Sequence, residues 1–110
     1  MKLLTATILK SMPKLGDTAE KTSDKIKVRA KLFNPLGPQK WFITEYDPET
    51  KEAFGFVTLG DPQCAELGYI SIQELEDLKL PLRLKIERDL HFPLTPLNEV
   101  MEKIRAGKHV

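Results

Sequence analysis

One cysteine, one tryptophan and two histidines are few for a chain of 110 residues, and the scarcity excludes several chemistries. A single thiol, Cys64, leaves no internal disulfide and no Cys-rich zinc centre. The six glycines are scattered and none opens a helix after a strand, so no phosphate-cradling loop is encoded. HExxH, paired CxxC and GxSxG patterns are missing as well. No run approaches the roughly 18 apolar residues that a membrane span needs. Residues 1–10 are interrupted by Thr5, Thr7 and Lys10 and do not read as a signal peptide. The expectation is a cytoplasmic protein without a membrane partner, and no motif asks for a cofactor.

Hydrophobic residues make up 41% of the chain and charged residues 30%, a globular rather than disordered composition. The length fits one domain over 1–110, large enough to bury roughly 65% of the surface its unfolded chain exposes. The net charge of +1 hides an uneven distribution. Residues 1–40 carry +6, residues 41–102 carry −8, and the last eight carry +3. Such blocks mark either an oriented binding surface or basic and acidic strands paired side by side.

Periodicity predicts an α+β fold: a small, mostly antiparallel sheet of four to five strands with about three helices packed on one face. Lys27 to Leu32 alternates strictly, placing Val28, Ala30 and Leu32 inward and Lys27, Arg29 and Lys31 toward water. Trp41–Tyr46 and Ala53–Leu59 form an antiparallel pair, and Glu66–Ile70 a short fourth strand. Leu84–Leu90 reads as a fifth strand or an extended arm. Thr5 or Thr7 caps a short first helix, and the polar stretch from Lys14 to Lys25 reads as a surface loop. Ser71 and Glu74 form a capping box for a helix with Ile72, Leu75 and Leu78 inward. Thr95 and Pro96 start a last helix carrying Leu97, Val100, Met101 and Ile104 on one face, which Gly107 stops. Trp41, Phe54, Phe56 and Tyr69 recur at strand spacing and are expected in the core.

Chemistry concentrates in Glu87-Arg88-Asp89-Leu90-His91. In an extended backbone Glu87, Asp89 and His91 share one face while Arg88 takes the other. Two carboxylates and an imidazole could hold Mn, Fe or Mg, or form an acid–base group. Glu45 with Asp47, or Glu66, could complete such a site from neighbouring strands. The plainer reading pairs Glu87 and Asp89 with Lys27, Arg29 or Lys31. Those three cations, with Phe33 on the same face and Trp41 and Phe42 nearby, are also the mixture that single-strand binders use. Cys64 lies in an acidic stretch that raises a thiol pKa, which argues against a nucleophile.

Several segments are familiar in combination. Trp41–Glu49 (WFITEYDPE), Ala53–Phe56, Glu66–Ser71 (ELGYIS) and Ile86–Phe92 (IERDLHF) follow in this order, with Met1–Thr5, Pro13–Leu15 and Lys31–Pro35 ahead of them. The pattern resembles a family of small bacterial proteins classed as domain of unknown function 2958. That resemblance implies a frequent setting on plasmids and integrative elements, near replication, transfer or antirestriction genes. It supplies no activity and no catalytic residues. It does single out Glu45, Asp47, Glu66, Glu87, Arg88 and Asp89 as members of the family's motifs.

The leading expectation is a non-enzymatic binding module for a protein or nucleic-acid partner in mobile-element biology. The alternative is a small metal-dependent, hydrolase-like enzyme using Glu87, Asp89 and His91 with Glu45 or Glu66. A homodimeric structural unit is a third.

Overall fold

Aromatic and β-branched residues from Trp41 to Tyr46 form the middle of the protein, a long strand β3 (Lys40–Asp47) in a computed structural model that describes residues 2–110. Met1, which opens the first family segment, lies outside the described residues. Before β3 come a one-turn helix α1 (Ala6–Leu9) and two short strands, β1 (Lys27–Val28) and β2 (Ala30–Phe33). After it come β4 (Glu52–Thr58), β5 (Glu66–Ser71), helix α2 (Ile72–Asp77), β6 (Glu87–Arg88), β7 (Thr95–Pro96) and helix α3 (Leu97–Arg105). Five strands make an antiparallel sheet in the order β5-β4-β3-β2-β6, and β1 pairs separately with β7. The fold is α+β, as the periodicity predicts.

Helices cover both faces of the sheet rather than one. Ala30, Leu32, Trp41 and Ile43 point to a core shared with Leu3, Leu4 and Met12 and with Ile72 and Leu75 of α2. Phe42 and Phe56 point the other way and pack with Leu97, Val100 and Ile104 of α3. Full burial of Phe42 and Phe56 contributes about 1.5–3 kcal/mol each. Gly55 has no side chain because a Cβ there would be driven into the Phe42 carbonyl. A two-faced sheet explains the continuous burial of residues 41–46, which a half-solvated strand would not show.

Two irregularities at Ile43 decide which residue faces which side. Ala30 is the register partner of Ile43, yet the Arg29 amide also donates to the Ile43 carbonyl at 2.8 Å. Two residues therefore oppose one, and the strand expected over 27–32 breaks. Val28 turns to the α3 core while Ala30 and Leu32 face the opposite one. Lys31, expected in water, lies on the α3 side and is only 6% exposed. On the other flank the β3–β4 register shifts between Ile43 and Glu45. Thr44 is the extra residue, its hydroxyl donating to the Phe54 carbonyl at 3.0 Å, and Tyr46 is returned to the first core.

Caps and ends follow local chemistry with exceptions. Ser71 Oγ accepts from the Glu74 amide at 3.2 Å, and Gly107 at φ +76 ends α3. Thr95 does not cap α3: Thr95 and Pro96 pair with β1, the helix begins at Leu97, and the Thr95 hydroxyl donates to the Pro93 carbonyl at 2.7 Å. Only Glu87 and Arg88 of the predicted fifth strand are strand, paired with Phe33 and Leu32; one further bond, from the Asp89 amide to the Lys31 carbonyl at 2.9 Å, follows before the chain turns away. Leu78 and Tyr69 are exposed rather than inward, since α2 ends at Asp77 and β5 is a sheet edge. Among the described residues no helix is long and apolar enough to cross a membrane.

Candidate functional site

The register shift at Thr44 aims Glu45 at the segment over 14–25. Its carboxylate accepts from the Gly16 amide at 2.8 Å, the Thr18 amide at 2.9 Å and the Thr18 hydroxyl. Both oxygens are thus occupied, and the surface loop expected here is present and is tied down as a series of tight turns. Asp47 Oδ1 accepts from the Glu49 amide at 2.9 Å and shapes the turn between β3 and β4. Glu66 sits exposed at the start of β5, the sheet edge opposite β6. Arg88 faces the first core side, where its Nη1 donates to the Leu3 carbonyl at 2.9 Å. Glu45, Asp47 and Glu66 do not join the β6 group.

Glu87, Asp89 and His91 do come together, as the alternation around Arg88 predicts. They line one cleft of about 510 Å³ with Lys31, Phe33, Lys40 and His109. A second hollow of about 340 Å³ shares Lys31, Asp89, His91 and His109 and continues toward Lys103 and Glu99 of α3. The cleft lies where the β2–β6 edge meets the end of the chain after α3. Glu87 is opposite Phe33 in the ladder, which fixes it on the cleft side. An Asx turn, with the His91 amide donating to Asp89 Oδ1 at 2.9 Å, ends the strand and brings the imidazole round to the rim.

Two lysines set the electrostatics. Lys31 Nζ is 3.7 Å from Asp89 Oδ2 and 5.8 Å from the centre of the Phe33 ring. Lys40, at the first position of β3, reaches His109 Nδ1 at 3.2 Å and donates to the Val110 main-chain oxygen at 3.3 Å. Among the described residues no Asp or Glu side chain pairs with Lys40. Burial, and then the charge of Lys31, pulls the Lys40 pKa below the ordinary lysine value. The cleft therefore holds one ammonium paired with an aspartate and one that no Asp or Glu side chain among the described residues pairs with.

Other candidates behave differently. Lys27 is half-buried in β1, and Arg29 keeps a buried Nε with no hydrogen-bond partner among the described residues, so Lys27, Arg29 and Lys31 share no exposed stripe. Trp41 and Phe42 are core residues and cannot stack on a ligand, whereas Phe33 is half-buried at the cleft. No group of three His, Cys, Asp or Glu among the described residues is placed to hold a metal ion. Cys64 is exposed, and the Asp61 carboxylate that accepts its S–H at 3.5 Å raises its pKa, with Glu66 adding to the effect. Lys40 and His109 were not legible as cleft residues: one follows a Gly-Pro turn, the other arrives from the far end of the chain, and neither carries a local pattern.

A family model described as "Protein of unknown function (DUF2958)" matches residues 3–110. The chain belongs to this family. The match spans both cores and every residue of the cleft. No curated protein and no solved structure matches the chain. The family's motif residues divide by role here. Glu45 and Arg88 hold main-chain atoms of other segments and Asp47 holds its own turn, Glu87 and Asp89 line the cleft together with Arg88, and Glu66 stands apart on the far sheet edge.

Proposed function

We propose that this family member is a non-enzymatic binding module whose cleft takes a phosphate group, free or carried by a single nucleic-acid strand. The observation that carries the reading is Lys40, an ammonium in the cleft wall that no Asp or Glu side chain among the described residues pairs with, held by His109 and the Val110 main-chain oxygen and close enough to Lys31 to feel its charge. Two cations facing one hollow stabilise an anion better than either alone, because its charge relieves their mutual repulsion. Phe33 lies beside them in the same cleft and offers a ring face to the group that carries the phosphate. A nucleic-acid partner also fits the plasmid and integrative-element setting that the family resemblance implies.

The hydrolase alternative keeps Glu87, Asp89 and His91 in one cleft but lacks its completing carboxylate there. Glu45 is committed to Gly16 and Thr18, and Glu66 lies on the opposite sheet edge. Two titrations test the binding reading. Inorganic phosphate followed by NMR should shift the amides of Lys31, Lys40 and His91 first. A labelled single-stranded oligonucleotide followed by anisotropy should bind with a log–log salt slope of roughly −1.4 for two phosphate contacts. Phosphate shifts without oligonucleotide binding would assign the cleft to a small phosphorylated ligand, and neither response would overturn the proposal.

A further inference from the structure

We infer that β5 is a pairing edge for a second copy of this chain, which would extend the sheet across a twofold axis. The Ile72 amide donates to the Lys51 carbonyl at 3.0 Å, and antiparallel alternation then turns Ile70 and Gly68 toward β4. The main-chain groups of Leu67 and Tyr69 consequently face outward from the sheet edge. Edge strands are normally blunted with lysine, proline or a bulge. The six residues of β5 include neither lysine nor proline, and their ladder with β4 runs without a register shift. The opposite edge, β6, is two residues long and is flanked by the Lys31–Asp89 ion pair.

Side chains on this edge point the same way. Leu67 is 41% and Tyr69 70% exposed, and both lie on the face that carries Phe54 and Phe56. Tyr69 packs edge-on against Phe54 with ring centres 5.2 Å apart, so a preformed apolar shelf continues from β4 to the open edge. Charge permits a second copy, because the strand can pair with itself without setting like charges together. Glu66, at one end, is the strand's single charge. Antiparallel pairing of two copies centred on Tyr69 sets the two Tyr69 rings opposite each other. It also separates the two Glu66 carboxylates by about 20 Å, beyond the screening length at physiological salt. The strand is thereby compatible with itself in this twofold arrangement.

Sedimentation of the full chain across a concentration series tests this, together with amide exchange. The expected result is a species of twice the 12.5 kDa chain mass, with exchange at Leu67 and Tyr69 slowing as concentration rises. Tyr69→Lys and Leu67→Lys, each at an exposed position, should sediment as monomers with unchanged circular dichroism, while Leu59→Lys, exposed but outside β5, should remain dimeric. A wild type that is monomeric at every concentration would overturn the inference. So would a dimer that survives both lysine variants, or a monomer that instead takes up an added extended apolar peptide at β5. The cleft is not involved, so Tyr69→Lys should leave oligonucleotide binding as it is.

Discussion

Lys31 and Asp89 meet at 3.7 Å across the β2–β6 edge, and they are unequally buried: the lysine side chain is 8% exposed and the aspartate 31%. Removing the acid leaves an ammonium out of water without its partner, whereas removing the lysine leaves a carboxylate that solvent can reach. Asp89→Asn should therefore cost about 1–2 kcal/mol, and Lys31→Met should cost less. Urea denaturation midpoints of the two variants check the order. A larger loss for Lys31→Met would mean that the pair is not the reason Lys31 tolerates burial.

Glu45 should matter more for stability than any other family-motif acid. Its carboxylate serves three donors on Gly16 and Thr18, and Thr18 is itself buried. Glu45→Ala should destabilise by about 3 kcal/mol and expose Lys14, Lys21 and Lys25 to trypsin. Asp47→Ala, which loses one exposed turn contact, should cost well under half of that. Equal effects of the two substitutions would contradict the latch.

Lys40 gives a pH signature. Burial and Lys31 disfavour its charged form in the folded state, so its folded pKa lies below the ordinary 10.5. The unfolded chain then binds more protons in the window between the two values. The resulting penalty is present in full below the folded pKa and is relieved as pH rises toward 10.5. Lys40→Met should be no less stable than wild type at neutral pH, and the wild type should gain on it as pH is raised through that window. Denaturation midpoints at neutral and alkaline pH check this. A variant clearly less stable at neutral pH would show that Lys40 is a structural residue.

Cys64 should be slow to alkylate at neutral pH despite its exposure, because Asp61 holds its proton. Asp61→Asn should lower the midpoint of the pH–rate profile and speed the reaction. An unchanged profile would remove Asp61 as the cause.

Much of the fold was legible from residue spacing. The β3–β4 hairpin, the Ser71 cap and the apolar face of α3 each follow from a local pattern, and each is present. What escaped was the second face of the sheet. Strict alternation from Lys27 to Leu32 is indistinguishable from a half-solvated strand until the break at Arg29 is seen, and that break depends on Ile43, fourteen residues away. The cleft was half legible. Glu87, Asp89 and His91 form a local pattern and share it, but Lys40 and His109, 69 residues apart, meet only through the packing of α3. Glu45 carries no local sign of its role, because its partners Gly16 and Thr18 lie 29 and 27 residues away in a polar surface loop.

The most direct test of the account is oligonucleotide anisotropy at two salt concentrations, comparing wild type with Lys40→Met. The account predicts wild-type binding that weakens with salt, loss of about tenfold in affinity on removing Lys40, a shallower salt slope for the variant, and unimpaired stability at neutral pH. Identical binding and salt dependence in the two proteins would contradict it.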